Sequence, residues 1–128
     1  EKKVVTAGDL VNGHENKPLV SVFAEELVSH AIGKMRKFGI SQIPVLKDNK
    51  FVGSVDDSAI YQALVDRPEL SDSPISSIIG PVFPIVKNGA SVDELCKLIN
   101  KSTPAVLVER ADGSHHIVTR YDIISAMS

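Results

Sequence analysis

Apolar and polar positions follow two rhythms along this chain, and both rhythms come round twice. "LVSVF" (Leu19–Phe23) is a short run with strand character. The stretch after it, "EELVSHAIGKMRKF", sets Leu27, Val28, Ala31, Ile32, Met35 and Phe38 at the three- and four-residue spacing of one helical face, and Gly39 ends it. "ISQIPVL" (Ile40–Leu46) reads as a second strand, "KDNK" as a hairpin turn and "FVGSV" (Phe51–Val55) as a third strand. Asp56 or Asp57 then opens a second helix, "DSAIYQALV", with Pro68 beyond its end.

The second half gives the same reading. "VFPIV" (Val82–Val86) is followed by a helix from Ser91 to Asn100, by "AVLVE", by the turn "RADGS", by "HHIVT" and by a last helix after Thr119. "PLVSVF" at Pro18 lines up with "PVFPIV" at Pro81, and "VGSVDDSAI" at Val52 with "HHIVTRYDI" at His115, both at an offset of sixty-three. The expected fold class is therefore α+β, with two β-α-β-β-α repeats packed sheet to sheet about a pseudo-twofold axis. Neither half is long enough to cover its own sheet, and pairing the halves solves that. Such a pair leaves two related clefts, and ligand pockets favour seams of this kind. The expected divisions are an N-terminal helical segment at 1–16, a first repeat at 17–70, a linker at 71–80 and a second repeat at 81–128. "TAGDLV" and "SDSPISSIIG" are expected to form short helical pieces that close the ends.

Composition narrows the function more than the fold. At 128 residues, with 43% hydrophobic and 23% charged side chains, the chain reads as an ordinary soluble globular domain. A formal charge of -2 offers no global field for a nucleic-acid backbone or an anionic membrane, so neither is an expected partner. One cysteine, Cys96, excludes an internal disulfide and a CxxC motif, and a reducing cytoplasm is the default setting. No apolar run is long enough to span a membrane, and no export signal precedes the first strand. Because the chain starts at Glu1, an excised piece of a longer protein is expected.

"GISQIPVL" on the second strand and "IVTRYDII" at the last strand resemble the paired cystathionine β-synthase (CBS) domains of a Bateman module, over roughly Lys17 to Met127. More narrowly, "KMRKFGISQIPVLKDNKFVGSV" and "GASVDELCKLINKSTPAVLVERADGSHHIVTRYDII" are similar to the C-terminal regulatory region of a bacterial cystathionine β-synthase, a pyridoxal-phosphate enzyme. The resemblance implies a non-catalytic module that binds an adenosine-type effector and controls the catalytic domain of its parent chain. It also implies a homodimer formed through the helices of both halves. No catalytic residue, metal ligand or covalent cofactor is expected.

The chemistry of the last repeat suits such a ligand. A ribose offers two neighbouring hydroxyls, which one carboxylate, Asp122, can accept as charge-assisted hydrogen bonds. A phosphate needs N–H donors at a helix start, a hydroxyl and a cation, and Thr119 and Arg120 stand there. By resemblance the same site takes Pro18 and Leu19 and the strand Ile40, Ser41, Gln42 and Ile43, with Ile117 and Tyr121 completing its walls. Thr119-x-x-Asp122 also has the spacing of a capping box, as do Thr6-x-x-Asp9 and Ser91-x-x-Glu94, which need only be caps. The first half carries Asp56 and Ala59 at the matching positions, so one competent site is expected and its twin is empty or altered.

The ligand itself stays open. Arg120 favours AMP, ADP or ATP, whereas the β-synthase resemblance favours S-adenosylmethionine. A module that only dimerises or docks its parent enzyme is the alternative. Other features have plainer readings. His115 and His116 are neighbours on a strand and point to opposite faces, so a metal site is not expected. His14 and His30 read as surface or satisfied histidines, Cys96 as a buried apolar residue, and "KMRK" as one solvated helix face.

Overall fold

The elements begin and end where local chemistry satisfies the chain ends. In the computed structural model, which describes residues 5–12 and 18–127, the order is α1 (Ala7–Val11), β1 (Val22–Phe23), α2 (Val28–Phe38), β2 (Gln42–Lys47), β3 (Lys50–Asp56), α3 (Asp57–Asp66), β4 (Ile85–Lys87), α4 (Val92–Leu98), β5 (Ala105–Glu109), β6 (His115–Thr119) and α5 (Arg120–Met127). Short 3-10 helices run over Pro68–Asp72, from the end of the first repeat into the linker, and over Ile75–Ser77 within the linker. His14, Lys17, Ser128 and the first four residues fall outside the described residues. The β-α-β-β-α order therefore occurs twice in an α+β chain, as the periodicity predicts.

Gly39 ends α2 in the left-handed region, at φ 64°, and its N–H donates to the Met35 carbonyl. At the β2–β3 turn Asp48 and Asn49 both have positive φ, 52° and 62°, the combination that a tight two-residue hairpin demands. Thr6 and Ser91 form full capping boxes with Asp9 and Glu94. Asp56 caps α3, accepting the Ala59 N–H at 2.7 Å.

The chain divides into two units. One is Val20–Val82; the other joins the residues up to Leu19 to those from Phe83 onward. In the first, β1 pairs parallel to β2 and β2 antiparallel to β3, over a core of Val22, Val28, Ala31, Ile43, Val45, Val55, Ile60 and Ile75. Strand β1 is only two residues long because the adjoining partner position on β2 is Pro44, which has no N–H to extend the ladder. In the other sheet no proline interrupts β5, and the Leu107 N–H donates to the Pro84 carbonyl at 2.8 Å.

The linker is part of this unit rather than a free connection. Ile75 is fully buried in its core, and Gly80 exchanges backbone hydrogen bonds with Ser54, at 2.8 and 3.2 Å. The Ser54 hydroxyl donates to the Pro81 carbonyl at 2.6 Å, and Ile79 lies directly over Gly53.

In the second unit β4, β5 and β6 repeat the pattern, with β4 parallel to β5 and β5 antiparallel to β6. Its core takes Ala7 and Val11 from α1 together with Leu95, Val106, Val108, Val118 and Ile123. The Ala7 and Gly8 N–H groups donate to the carbonyls of Ala90 and Asn88 at 2.7 and 2.8 Å, and the Val92 N–H to the Val5 carbonyl at 3.2 Å. Strand β4 starts after Pro84, later than its hydrophobic run. Helix α4 stops at Leu98, short of the predicted Asn100, because the Asn100 side chain closes its own turn: Oδ1 accepts the N–H groups of Ser102 and Thr103 at 2.8 and 3.0 Å. Cys96 is exposed, which corrects the apolar reading; its neighbour Leu95 takes the buried position.

A Cβ at position 53 would sit 2.3 Å from the Ile79 side chain and 2.6 Å from the Gly80 carbonyl oxygen. Gly53→Ala is therefore expected to destabilise the protein by about 1–3 kcal/mol, since either the linker or β3 must shift. Urea denaturation measures it, with faster exchange of the Gly80 amide as the local sign.

Candidate functional site

Strand β6 delivers Thr119 to the first turn of α5, and Val118 and Ile123, both buried, anchor the chain on either side of it. One carboxylate oxygen of Asp122, Oδ2, accepts the Thr119 N–H at 2.8 Å and the Thr119 hydroxyl at 3.2 Å. That is half of the capping box whose spacing Thr119-x-x-Asp122 shares. Oδ1 carries no hydrogen bond among the described residues, and Asp122 is half-buried.

The other half of the box differs from its two relatives. Thr6 and Ser91 accept the N–H of the third helical residue through their hydroxyls, at 3.2 and 3.1 Å. The Thr119 hydroxyl instead gives its proton to Asp122, and the Asp122 N–H has no side-chain cap among the described residues. The start of α5 therefore presents an open carboxylate oxygen beside an uncapped N–H, at the positive end of a helix dipole.

Arg120 is exposed, and its Nη1 donates to the main-chain carbonyl of Asn100 at 3.0 Å. The pair is twenty residues apart in sequence, so no local motif announces it. Tyr121 is exposed, while Ile117 and Leu19 are half-buried and Pro18 is exposed. Pro18, Leu19, Ile117, Thr119, Arg120, Tyr121 and Asp122 all belong to the same unit. Ile40, Ser41, Gln42 and Ile43 belong to the other, where Ile43 is fully buried at the start of β2, Ser41 is exposed, and the Ser41 carbonyl accepts the Asp57 N–H at 2.9 Å.

Residues 7–66 match a family model, the CBS domain. A CBS-domain protein from Burkholderia ambifaria MC40-6 superimposes with a TM-score of 0.85 at 16% identity, over 96% of this chain and 93% of that one. One from Agrobacterium tumefaciens gives 0.84 at 16%, over 97% and 100%. The protein CBSX2, solved in complex with AMP, gives 0.73 at 20%, over 95% of each chain.

The chain has the fold of a CBS-domain pair.

Within that fold, the first repeat carries Asp56, Asp57 and Ala59 where the second has Thr119, Arg120 and Asp122. Asp56 Oδ1 fills the N–H of Ala59, so the start of α3 is closed by its own acid where that of α5 is not. The helices also expose apolar side chains: Tyr61 and Val65 on α3, at 66% and 59%, and Tyr121, Ile124 and Met127 on α5, at 74%, 62% and 70%. In the Val20–Val82 unit, Ile32, Met35, Ile60, Tyr61, Leu64 and Val65, with Asp57 as the one charged residue, line a largely apolar groove of about 400 Å³. Of the "KMRK" cluster, Arg36 and Lys37 are solvated, but Lys34 Nζ donates to the Ser21 carbonyl at 2.7 Å. Among the described residues no group of three or more His, Cys, Asp and Glu could hold a metal ion, and no helix is long and apolar enough to cross a membrane.

Asp122→Ala removes the acceptor for the Thr119 N–H and is expected to cost about 1 kcal/mol of stability even without ligand. Asp122→Asn, whose amide oxygen still accepts that N–H, is expected to recover most of it. Thermal unfolding of the two variants beside the wild type measures the difference.

Proposed function

We propose that this CBS-domain pair is a regulatory module that binds an adenosine-type ligand, AMP, ADP, ATP or S-adenosylmethionine, at the start of α5. The observation that carries the reading is the arrangement of Thr119 and Asp122: an uncommitted Oδ1 placed to accept ribose hydroxyls, next to an uncapped helical N–H placed for the 5′ group. Pro18, Leu19, Ile117 and Tyr121 supply the apolar surface for the base from the same unit. That Ile40, Ser41, Gln42 and Ile43 also line the site rests on the sequence resemblance. The AMP complex of a protein with the same fold supports the ligand class. Asp56, Asp57 and Ala59 make the first-repeat counterpart unsuited to the same ligand.

In this reading the ligand favours one arrangement of the module, and that preference acts on a catalytic domain attached to it. The regulation is bounded by the ligand's differential affinity for the two arrangements. A pyridoxal-phosphate β-synthase as the parent enzyme rests on the sequence resemblance alone.

The exposed apolar side chains of α3 and α5, with the groove beside Tyr61, favour a second role as a homodimer or docking face. The two roles are compatible, and a module that binds nothing small would keep only the second.

At a hundred times its Kd the right ligand is expected to add about 2.7 kcal/mol to stability, a melting shift of several degrees. Thermal shift with AMP, ADP, ATP and S-adenosylmethionine tests this. Asp122→Ala should abolish the shift; no shift with any ligand would leave the docking role, and a shift that survives Asp122→Ala would place the site elsewhere. For the dimer, sedimentation velocity is expected to show a two-chain species that Tyr61→Asp converts to monomer.

A further inference from the structure

The chain holds five asparagines, and the residue that follows each decides how reactive its side chain is. Asn16, Asn49 and Asn100 precede lysine, whereas Asn12 and Asn88 precede glycine. An asparagine carboxamide is open to attack by the main-chain nitrogen of the next residue, which makes it one of the thermolabile side chains. A glycine there leaves that nitrogen unshielded by any Cβ. Of the two glycine pairs, the structure describes both residues of Asn88–Gly89.

Three features of that turn favour the attack. Gly89 is exposed, and nothing lies within 4 Å of the place its Cβ would take, so water reaches it. Its N–H has no hydrogen-bond partner among the described residues, and an unengaged N–H gives up its proton more readily than one held by an acceptor. The Asn88 side chain is likewise untied, because its Oδ1 is buried without a partner, a costly position for an amide. Asn100 is the contrast: its Oδ1 accepts the N–H groups of Ser102 and Thr103, at 2.8 and 3.0 Å, and its carboxamide is fixed.

The same turn fastens α1. The Gly8 N–H donates to the Asn88 carbonyl at 2.8 Å and the Ala7 N–H to the Ala90 carbonyl at 2.7 Å, so the two bonds straddle Gly89. The Ala90 N–H closes the turn on the Lys87 carbonyl at 3.1 Å. The helix comes so near that a Cβ on Gly8 would stand 3.4 Å from the Asn88 Cγ.

We propose that Asn88–Gly89 is a site of spontaneous deamidation whose products loosen α1. The Gly89 nitrogen, its proton lost to solvent base, bonds to the Asn88 Cγ; the bond from Cγ to the amide nitrogen breaks, ammonia leaves and a cyclic imide closes. Water then opens the ring at either carbonyl. The sum is one water consumed and one ammonia released, with no change of oxidation state. Opening at the main-chain carbonyl gives isoaspartate: the chain now runs through Cβ and Cγ, one methylene longer, and the carbonyl that held the Gly8 N–H becomes a free carboxylate. Opening at the other carbonyl gives aspartate, whose charge falls where Oδ1 is buried. Either product weakens the seat of α1, which packs on β6 and α5.

Peptide mapping by mass spectrometry, after prolonged incubation of the whole chain at mildly alkaline pH, tests the proposal. Residue 88 is expected to gain the mass of an NH2 exchanged for OH, with isoaspartate identified by electron-transfer fragmentation, while Asn49 and Asn100 stay intact. Gly89→Ala fits the open space at a position outside the left-handed region, so it should keep the melting temperature and lower the loss of Asn88 to the level of Asn49. The amides of Ala7 and Gly8 are expected to exchange faster in the aged protein, and in fresh Asn88→Asp, than in fresh wild type. An Asn88 that stays intact in the folded protein overturns the proposal; its deamidation in urea would then show that the turn protects it. Deamidation at an unchanged rate in Gly89→Ala also overturns it. So does exchange of Ala7 and Gly8 that is as slow in the aged protein and in Asn88→Asp as in fresh wild type. None of these outcomes bears on the adenosine reading.

Discussion

The core of one unit is closed by a helix that the chain makes before it enters the other. Ala7 and Val11 are fully buried against Leu95, Val106, Val108 and Val118, more than eighty residues downstream. Three strands and two short helices leave one face of their sheet with too little apolar cover, and α1 supplies the missing layer. Its N–H groups are paid into the loop that precedes α4, through Ala90 and Asn88, so it is fastened by backbone as well as by packing. Because α1 packs against β6 and α5, the place where Thr119 and Asp122 stand depends on this contact.

What distinguishes the helix starts is how each spends the same few atoms. At α1 and α4 a hydroxyl and an acid satisfy one another's backbone donors in full, and at α3 Asp56 does the capping alone. At α5 the hydroxyl proton goes to the carboxylate, which leaves a helical N–H uncapped and one carboxylate oxygen open. A complete cap fills its helical N–H, although Asp9 and Glu94 each keep one carboxylate oxygen open as Asp122 does. An incomplete one gives up about a kilocalorie of local stability and keeps its donors and acceptors available.

Much of this was legible in the residues themselves. Helix α2 announces its buried stripe and its terminating glycine, Asp48–Asn49 announces a hairpin, and the repeat shows through the shared order of elements even where identity is low. Thr119 and Asp122 were visible as a pair, but spacing alone does not separate a full box from a half-filled one; the direction of the Thr119 hydroxyl decides that. Element ends were misjudged where a particular group intervened: Pro84 delays β4, Pro44 shortens β1 from across the ladder, and the Asn100 side chain ends α4 two residues early. The Arg120–Asn100 contact and the fit of Ile79 over Gly53 join residues twenty or more apart, and no local pattern encodes them. Cys96 shows the limit of residue averages, since α4 buries Leu95 and turns the adjacent side chain outward.

The frame of duplication and the frame of folding are out of step. A gene doubled head to tail yields two like copies, yet the piece that folds with the second copy is encoded ahead of the first. Helices α1 and α5, which bracket the described chain, rest on the same hydrophobic cluster. Anything spliced upstream or downstream therefore pulls on one common body, the one that carries Asp122, while Val20–Val82 is an uninterrupted insert in that body's sequence.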